Sequence, residues 1–281
     1  MADFKVGIVG IGLIGASMAK SLYGYKGWKI IGFDSSRSVI EMAERDGAVD
    51  RGYTSMEETK DCDVVIFATP PGVTLQLING CEYKSGAMVC DVCGVKGFME
   101  SIREDIDFVG MHPMAGKEVN GYESGDSELF VGANLLLMKR ESTSEKACLL
   151  AQELGRAMGF RVLRWTDMHI HDSMIAFTSQ MPHLLSAIIV RHPYYKDSHD
   201  FEGGSLNDFT RIARLDAPMW ASLFYKNREN LKEQCDYYIT ELERFRDMLD
   251  DKEAMTEYMQ GARSNRIGHE HTETVLWKRK K

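Results

Sequence analysis

The chain has 281 residues, 44% hydrophobic and 27% charged, with only 6 prolines. That is an ordinary globular composition, long enough for two domains with separate cores. A net charge of −8 argues against a nucleic-acid partner, which requires a basic face for phosphates. By this reading no segment reaches the run of about 18 apolar residues that spans a bilayer, so no membrane partner is expected.

The N-terminal residues run directly into a strand, so no signal peptide is expected. Lys5 to Val9 is a continuous apolar run of the buried, parallel-strand kind. Gly10-Ile11-Gly12-Leu13-Ile14-Gly15 follows at once, then a helical stretch from Ala16 to Tyr23. This is a G-x-G-x-x-G fingerprint with a strand before it and a helix after it, as dinucleotide binding requires. Gly10 permits the tight turn, Gly12 the approach of a pyrophosphate, and Gly15 close helix–strand packing. The helix N-terminus then offers unpaired N–H groups to the phosphates.

A second strand, Trp28 to Phe33, ends in Asp34, 19 residues after Gly15, where the ribose-binding acid belongs. A carboxylate there accepts from a free 2′-hydroxyl and repels a 2′-phosphate, so NAD is expected over NADP. Ser35, Ser36 and Arg37 oppose that preference, since they could receive the phosphate. The full cofactor set expected is Gly10, Gly12, Leu13, Ile14, Gly15, Asp34, Ser35, Arg37, Thr69, Pro70 and Asp91.

The alternation continues with a helix from Ser38 to Asp46 ended by Gly47. A strand from Asp63 to Thr69 is broken by Pro70-Pro71-Gly72. A strand from Ala87 to Val92 and a helix from Val95 to Glu104 come next. Phe108 to Met111 then delivers His112 to a strand end, Pro113 stops the ladder, and Gly116 lets the backbone turn close to whatever His112 faces. Strand carboxyl ends are where open α/β sheets bind ligands, so His112 is a candidate functional residue. Asn134 to Lys139 and Arg161 to Trp165 read as closing strands around a helix from Ser144 to Met158, with Gly121 to Glu128 a surface loop. The fold class is α/β, a Rossmann-type doubly wound parallel sheet over residues 1–166.

Residues 167–281 read as helix almost throughout and form a second, all-helical domain. Asp167 caps a helix to about Val190 that carries Asp172, Ala176, Ser179 and His183 on one face, with a kink at Pro182. His169 and His171, two apart, point to different faces and make a poor metal pair, so no metal is expected. Gly203-Gly204 precedes a helix start with Asp208 as its cap and Arg211 in its first turns, where a cation needs a bound anion. Leu231, Cys235, Tyr238, Leu242, Phe245 and Leu249 form a helical stripe suited to a core or a dimer interface. The six cysteines, among them Cys90 and Cys93, lie scattered in apolar or helical segments, which fits reduced thiols in the cytoplasm.

Assembled, these motifs resemble the prephenate/arogenate dehydrogenase family of tyrosine biosynthesis. The resemblance rests on Gly10 to Gly15, Asp91 to Lys96, His112-Pro-Met-Ala-Gly116, Ser179-Gln-Met-Pro-His183 and Asp208-Phe-Thr-Arg211. It implies a helical dimerisation domain, a homodimer, and oxidative decarboxylation of prephenate to 4-hydroxyphenylpyruvate with hydride passing to NAD(P). It also implies roles: His112 takes the ring-hydroxyl proton, His183 positions substrate and nicotinamide, and Arg211 binds a carboxylate, in family members across the dimer interface. Trp220, Glu118, Gly116, Ser179 and Gln180 match positions of the substrate pocket.

Three features depart from the family. Gly94 stands where serine usually bonds the catalytic histidine, so a water or backbone group is expected to orient the imidazole. Gln180 and Asn207 replace histidine and lysine of some members, which bears on prephenate against arogenate. Some members append a regulatory domain, and regulation through such a domain is not expected here. Other readings are another small-acid dehydrogenase on this fold, or a non-enzymatic NAD sensor acting through a partner.

Overall fold

The computed structural model describes residues 3–117 and 119–278. Expected site residue Glu118 lies outside the described residues. The chain divides into two compact units, Met1–Leu231 and Lys232–Lys281.

The first unit is built on one sheet. Its strands are β1 (Lys5–Val9), β2 (Lys29–Phe33), β3 (Arg51–Tyr53), β4 (Val64–Phe67), β5 (Met88–Asp91), β6 (Phe108–Pro113), β7 (Asn134–Lys139) and β8 (Val162–Trp165), in the order β3-β2-β1-β4-β5-β6-β7-β8. The apolar runs of β1, β4 and β5 lie at its centre, buried on both faces. Between the strands run α1 (Leu13–Leu22), α2 (Arg37–Arg45), α3 (Pro71–Gly80) and α4 (Glu145–Ala157). Ser144 caps α4, its side chain accepting from the N–H of Ala147.

The sheet departs from the parallel expectation at one place. β6 pairs β7 antiparallel, with His112 opposite Leu136, while the other ladders are parallel. A parallel return needs a crossover of about a dozen residues or more, usually a helix. Among the described residues of the β6–β7 connection the helical piece is the short turn Tyr122–Ser124, and the residues just after it bond to α1: Ser17 Oγ accepts from Asp126 N, and Lys20 donates to Gly125 O.

Three local expectations also change. Pro71 starts α3 rather than only breaking a strand, because proline suits the first helical position. The helix expected from Val95 to Glu104 is only a 3₁₀ turn, Gly97–Ser101. Its leading N–H groups, on Lys96 and Gly97, donate to the Asp172 carboxylate instead of to carbonyls of their own segment. Gly203, not Asp208, caps α7 (Gly204–Thr210), so Arg211 follows the helix C-terminus, where the dipole favours a cation.

Asp167 caps α5 (Met168–Ile175) as expected, accepting from His169 N and Ile170 N. α5 passes through a π turn, Ala176–Gln180, into α6 (Met181–Val190). The irregularity expected at Pro182 takes that form, since proline offers no N–H to the regular ladder. Met168–Val190 is, against the sequence reading, a run of 23 residues that contains an 18-residue stretch of mean hydropathy 1.3, and so meets the length and composition of a membrane span. It carries buried His171, Asp172 and Gln180 within the first unit. α8 (Ala217–Lys226) and the start of α9 (Arg228–Asp247) complete that unit.

In the second unit α9 and α10 (Lys252–Lys278) are joined by Tyr258, which bonds Glu241 and packs on Phe245. Of the expected stripe, Leu231, in the first unit, is buried, but Leu242 on α9 and Leu249 in the turn after it are exposed and do not form a core.

Candidate active site

The glycine loop is built as its spacing demands. Gly10 has φ +85°, and a Cβ there would strike the Ala68 carbonyl; one at Gly15 would strike the Gly10 carbonyl. Gly12 differs, because apart from its chain neighbours nothing lies within 4 Å of where its Cβ would stand, so the open side of the loop faces room for a ligand. Gly12 precedes α1 with no side-chain cap, leaving the leading N–H groups of Leu13 and Ile14 to a ligand anion.

Asp34, at the end of β2, accepts from Ile11 N at 2.9 Å through one oxygen and from Ser36 N at 2.9 Å through the other. The carboxylate is thereby pinned beside the glycine loop with lone pairs to spare. Arg37 is turned away into an ion pair with Glu41 at 3.0 Å, and Ser35 is exposed. Thr69 and Pro70 lie at the mouth of β4, Thr69 bonding Thr74 at 2.9 Å. These residues fit the phosphates and the diol ribose of a dinucleotide. Asp91 does not join them through its side chain. Its carboxylate is wholly buried and paired with Lys96, itself fully buried, at 2.6 Å.

Next to this loop opens a cleft of about 540 Å³. Ile14, from α1, is at one end; Gly94, His112 and Gly116 come from the strand ends, Ser179, Gln180 and His183 from the π turn and α6, and Trp220 from α8. Six of the expected substrate and catalytic positions thus meet in one cavity, while exposed Arg211 is not part of its lining. Arg214, three residues on, is. Sequence reasoning passed over Arg214 because the family motif ends before it.

His112 is held in a chain of hydrogen bonds. Its Nδ1 lies 2.8 Å from Nε2 of His171, whose Nδ1 lies 2.7 Å from Asp172 Oδ1. Asp172 is fixed by the N–H groups of Lys96 and Gly97. The orienting group is therefore the His171 side chain, not the water or backbone group expected. The i, i+2 spacing from His169 makes His171 a poor metal ligand but carries no sign of its hydrogen-bond partner, which comes to α5 from strand β6. Nε2 of His112 is left on the Gly94 side, 3.8 Å from where a Cβ of residue 94 would stand.

Burial first, then His171 and the Lys96 ammonium, hold the His112 imidazolium well below the usual histidine range. Lys96 reaches this region by donating to the Met111 carbonyl at 2.7 Å. His183 donates its Nδ1–H to the Ser179 carbonyl at 2.7 Å and stacks on Trp220, ring centroids 4.0 Å apart. Gln180 is buried, bonded to Asn227 at 2.9 Å, and Asn227 also donates to the Asp172 carbonyl. Burial raises the Cys93 thiol to about 12, and with Cys90 also buried this pair lacks the thiolate that redox chemistry needs.

A glycine loop, a pinned acid at the second strand end and an adjoining cleft with a half-buried histidine held below its ordinary range define the class of nucleotide-dependent dehydrogenases. Two family models cover most of the chain: the prephenate dehydrogenase nucleotide-binding domain matches residues 18–164, and the prephenate dehydrogenase dimerization domain residues 167–261. The chain belongs to the prephenate dehydrogenase family.

Among curated relatives, prephenate dehydrogenase of Bacillus subtilis is 26% identical over 280 residues, covering 93% of this chain and 75% of the relative. Cyclohexadienyl dehydrogenase of Zymomonas mobilis is 26% identical over 262 residues, covering 88% and 89%. Among solved structures, Aquifex aeolicus prephenate dehydrogenase with hydroxyphenyl propionate and NAD+ superposes with a TM-score of 0.85 at 28% identity, over 95% of this chain and 99% of that one.

Proposed function

We propose that this protein is an NAD-dependent prephenate dehydrogenase that oxidises and decarboxylates prephenate to 4-hydroxyphenylpyruvate in tyrosine synthesis. The observation that carries the reading is His112, with Nε2 on the cleft side and Nδ1 engaged behind it. The family membership and the NAD complex of the Aquifex aeolicus relative support it.

NAD, when bound, supplies the hydride acceptor. The chain's own residues do the rest. His112 accepts the hydroxyl proton at Nε2 as the ring carbon loses hydride and a carbonyl develops. Carbon dioxide then leaves from the ring carboxylate because the product ring is aromatic, so the protein supplies only position and charge. Trp220 and His183 form an aromatic wall against the ring, and Gly116, Ser179 and Gln180 complete the pocket. Arg214 meets a substrate carboxylate within the cleft. Arg211, outside the cleft lining, reaches the cleft of a second copy in a homodimer, and a substrate-binding role is carried to Glu118 by its match to the family.

The dimer is supported by the dimerization-domain match and by Ile170, Met174, Phe177 and Ile188, apolar yet exposed on one helix. Residues 1–166 are the cofactor domain and 167–281 the substrate and dimerisation domain, in keeping with the family models that meet between 164 and 167. Asp34 favours NAD over NADP. A cytoplasmic location suits six cysteines that are all free thiols.

Purified protein with NAD and prephenate should form NADH and 4-hydroxyphenylpyruvate in equal amounts. Arogenate, tried in parallel, measures the alternative substrate that the cyclohexadienyl relative brings into view. No NADH with either compound would refute the reading.

A further inference from the structure

We propose that His171 and Asp172 form a proton relay behind His112, so that the proton taken from substrate is shared by the two histidines and balanced by the carboxylate. The inference rests on the proposed role of His112 and names the groups that make it a base.

The hydrogen bonds set the tautomers. Asp172 Oδ1 accepts, so His171 Nδ1 carries the proton at that 2.7 Å contact. A neutral His171 then presents a bare Nε2, which accepts from His112 Nδ1–H at 2.8 Å. His112 Nε2 is therefore the bare nitrogen, and it is the one on the cleft side. When a substrate hydroxyl gives its proton to Nε2, the O–H bond breaks and an N–H bond forms. His112 becomes cationic, and its Nδ1–H is free to pass to His171 Nε2. Two histidines in contact do not both hold a charge readily, so the pair takes up one proton as a unit.

The charged groups around the pair explain why such a device is needed. Lys96, with Asp91 behind it, lies beneath His112 and opposes a positive imidazole. His183 and Arg214 border the same cleft and add no negative charge. At the rim, Lys117 is tied to Asp126, and Asp216 is tied to Asn120 and to the N–H of Met219. Among the described residues, Asp172, through His171, is the carboxylate hydrogen-bonded into line with the imidazole, and backbone N–H groups of Lys96 and Gly97 lock its direction. His171 and Asp172 are positioning residues, each nine-tenths or more buried.

The test has two arms. Nitrogen NMR of histidine-labelled protein, with NAD and without substrate, reads the tautomers. The expected state is Nδ1–H with bare Nε2 on His112, kept in H171Q, whose amide oxygen still accepts, and lost in H171L. In the kinetic arm, the acid limb of kcat/KM for prephenate should move down by about one pH unit in D172N, since the anion that favours the cation is gone. Turnover should fall about 10²-fold in H171L and recover in part in H171Q. An Nε2–H tautomer in the wild type, or losses in D172N and H171L with an unmoved pH limb, would overturn the relay. The expected tautomer in a protein that oxidises neither prephenate nor arogenate would leave the relay standing and refute the function proposed above.

Discussion

Asp34 carries the choice of cofactor on one carboxylate already aimed by two backbone N–H groups. A hydrogen bond to a charged group is worth roughly 1.5–3 kcal/mol, so Asp34→Ser should weaken NAD by about 10- to 100-fold and narrow the gap to NADP. Dissociation constants for both cofactors measure it; a wild type that prefers NADP would mean that Ser35, Ser36 and Arg37 outweigh the acid. The two arginines separate in the same way. Both side chains are exposed, so each charge-assisted bond to a carboxylate is worth roughly 1.5–3 kcal/mol rather than the larger cost of a broken buried pair. Arg214→Ala and Arg211→Ala should each raise KM for prephenate by about 10- to 100-fold with NAD affinity unchanged. A flat KM in the Arg214 variant would remove that residue from the substrate contacts.

At the scale of elements, the site is held by pairs whose members lie far apart in the chain. The Asp91–Lys96 pair is fully buried, so Lys96→Met should leave an uncompensated carboxylate and cost about 3–5 kcal/mol of stability, read from a denaturant titration. A loss under about 1 kcal/mol would show that Asp91 finds another partner. This layer also marks where the sequence stops being legible. Strands β1, β2 and β4, the glycine loop and the Asp167 cap follow from local pattern, because apolar period and turn chemistry act within a few residues. The antiparallel β7, the 3₁₀ turn at Gly97 and the exposed end of the α9 stripe depend on what packs against each segment. His112 was legible from its strand end and its motif. His171 was not, because its meaning comes from a side chain 59 positions away.

Across the whole molecule, cofactor and cleft are coupled through α1, which offers its N-terminus to the phosphates and Ile14 to the cleft. Binding to the native state alone stabilises it by mass action, about 2.7 kcal/mol at a ligand concentration 100 times the dissociation constant. NAD should therefore raise the melting temperature by several degrees, and NADP at equal concentration by less. Equal shifts would contradict the assignment of Asp34. The sign of the pH dependence also belongs to the assembled site. A histidine held well below its ordinary value of 6.5 stays neutral, and able to accept a proton, through the weakly acidic range. Activity should persist there and fall only as pH drops through that lower value.

The pH dependence of kcat/KM with prephenate, compared between wild type and His112→Asn, bears most directly on the site. The wild type should show an acid limb below 6.5. His112→Asn should lose that limb and about 10²- to 10⁴-fold of turnover while binding NAD as before. A variant that keeps the limb, with His183→Asn abolishing it, would contradict His112 as the base.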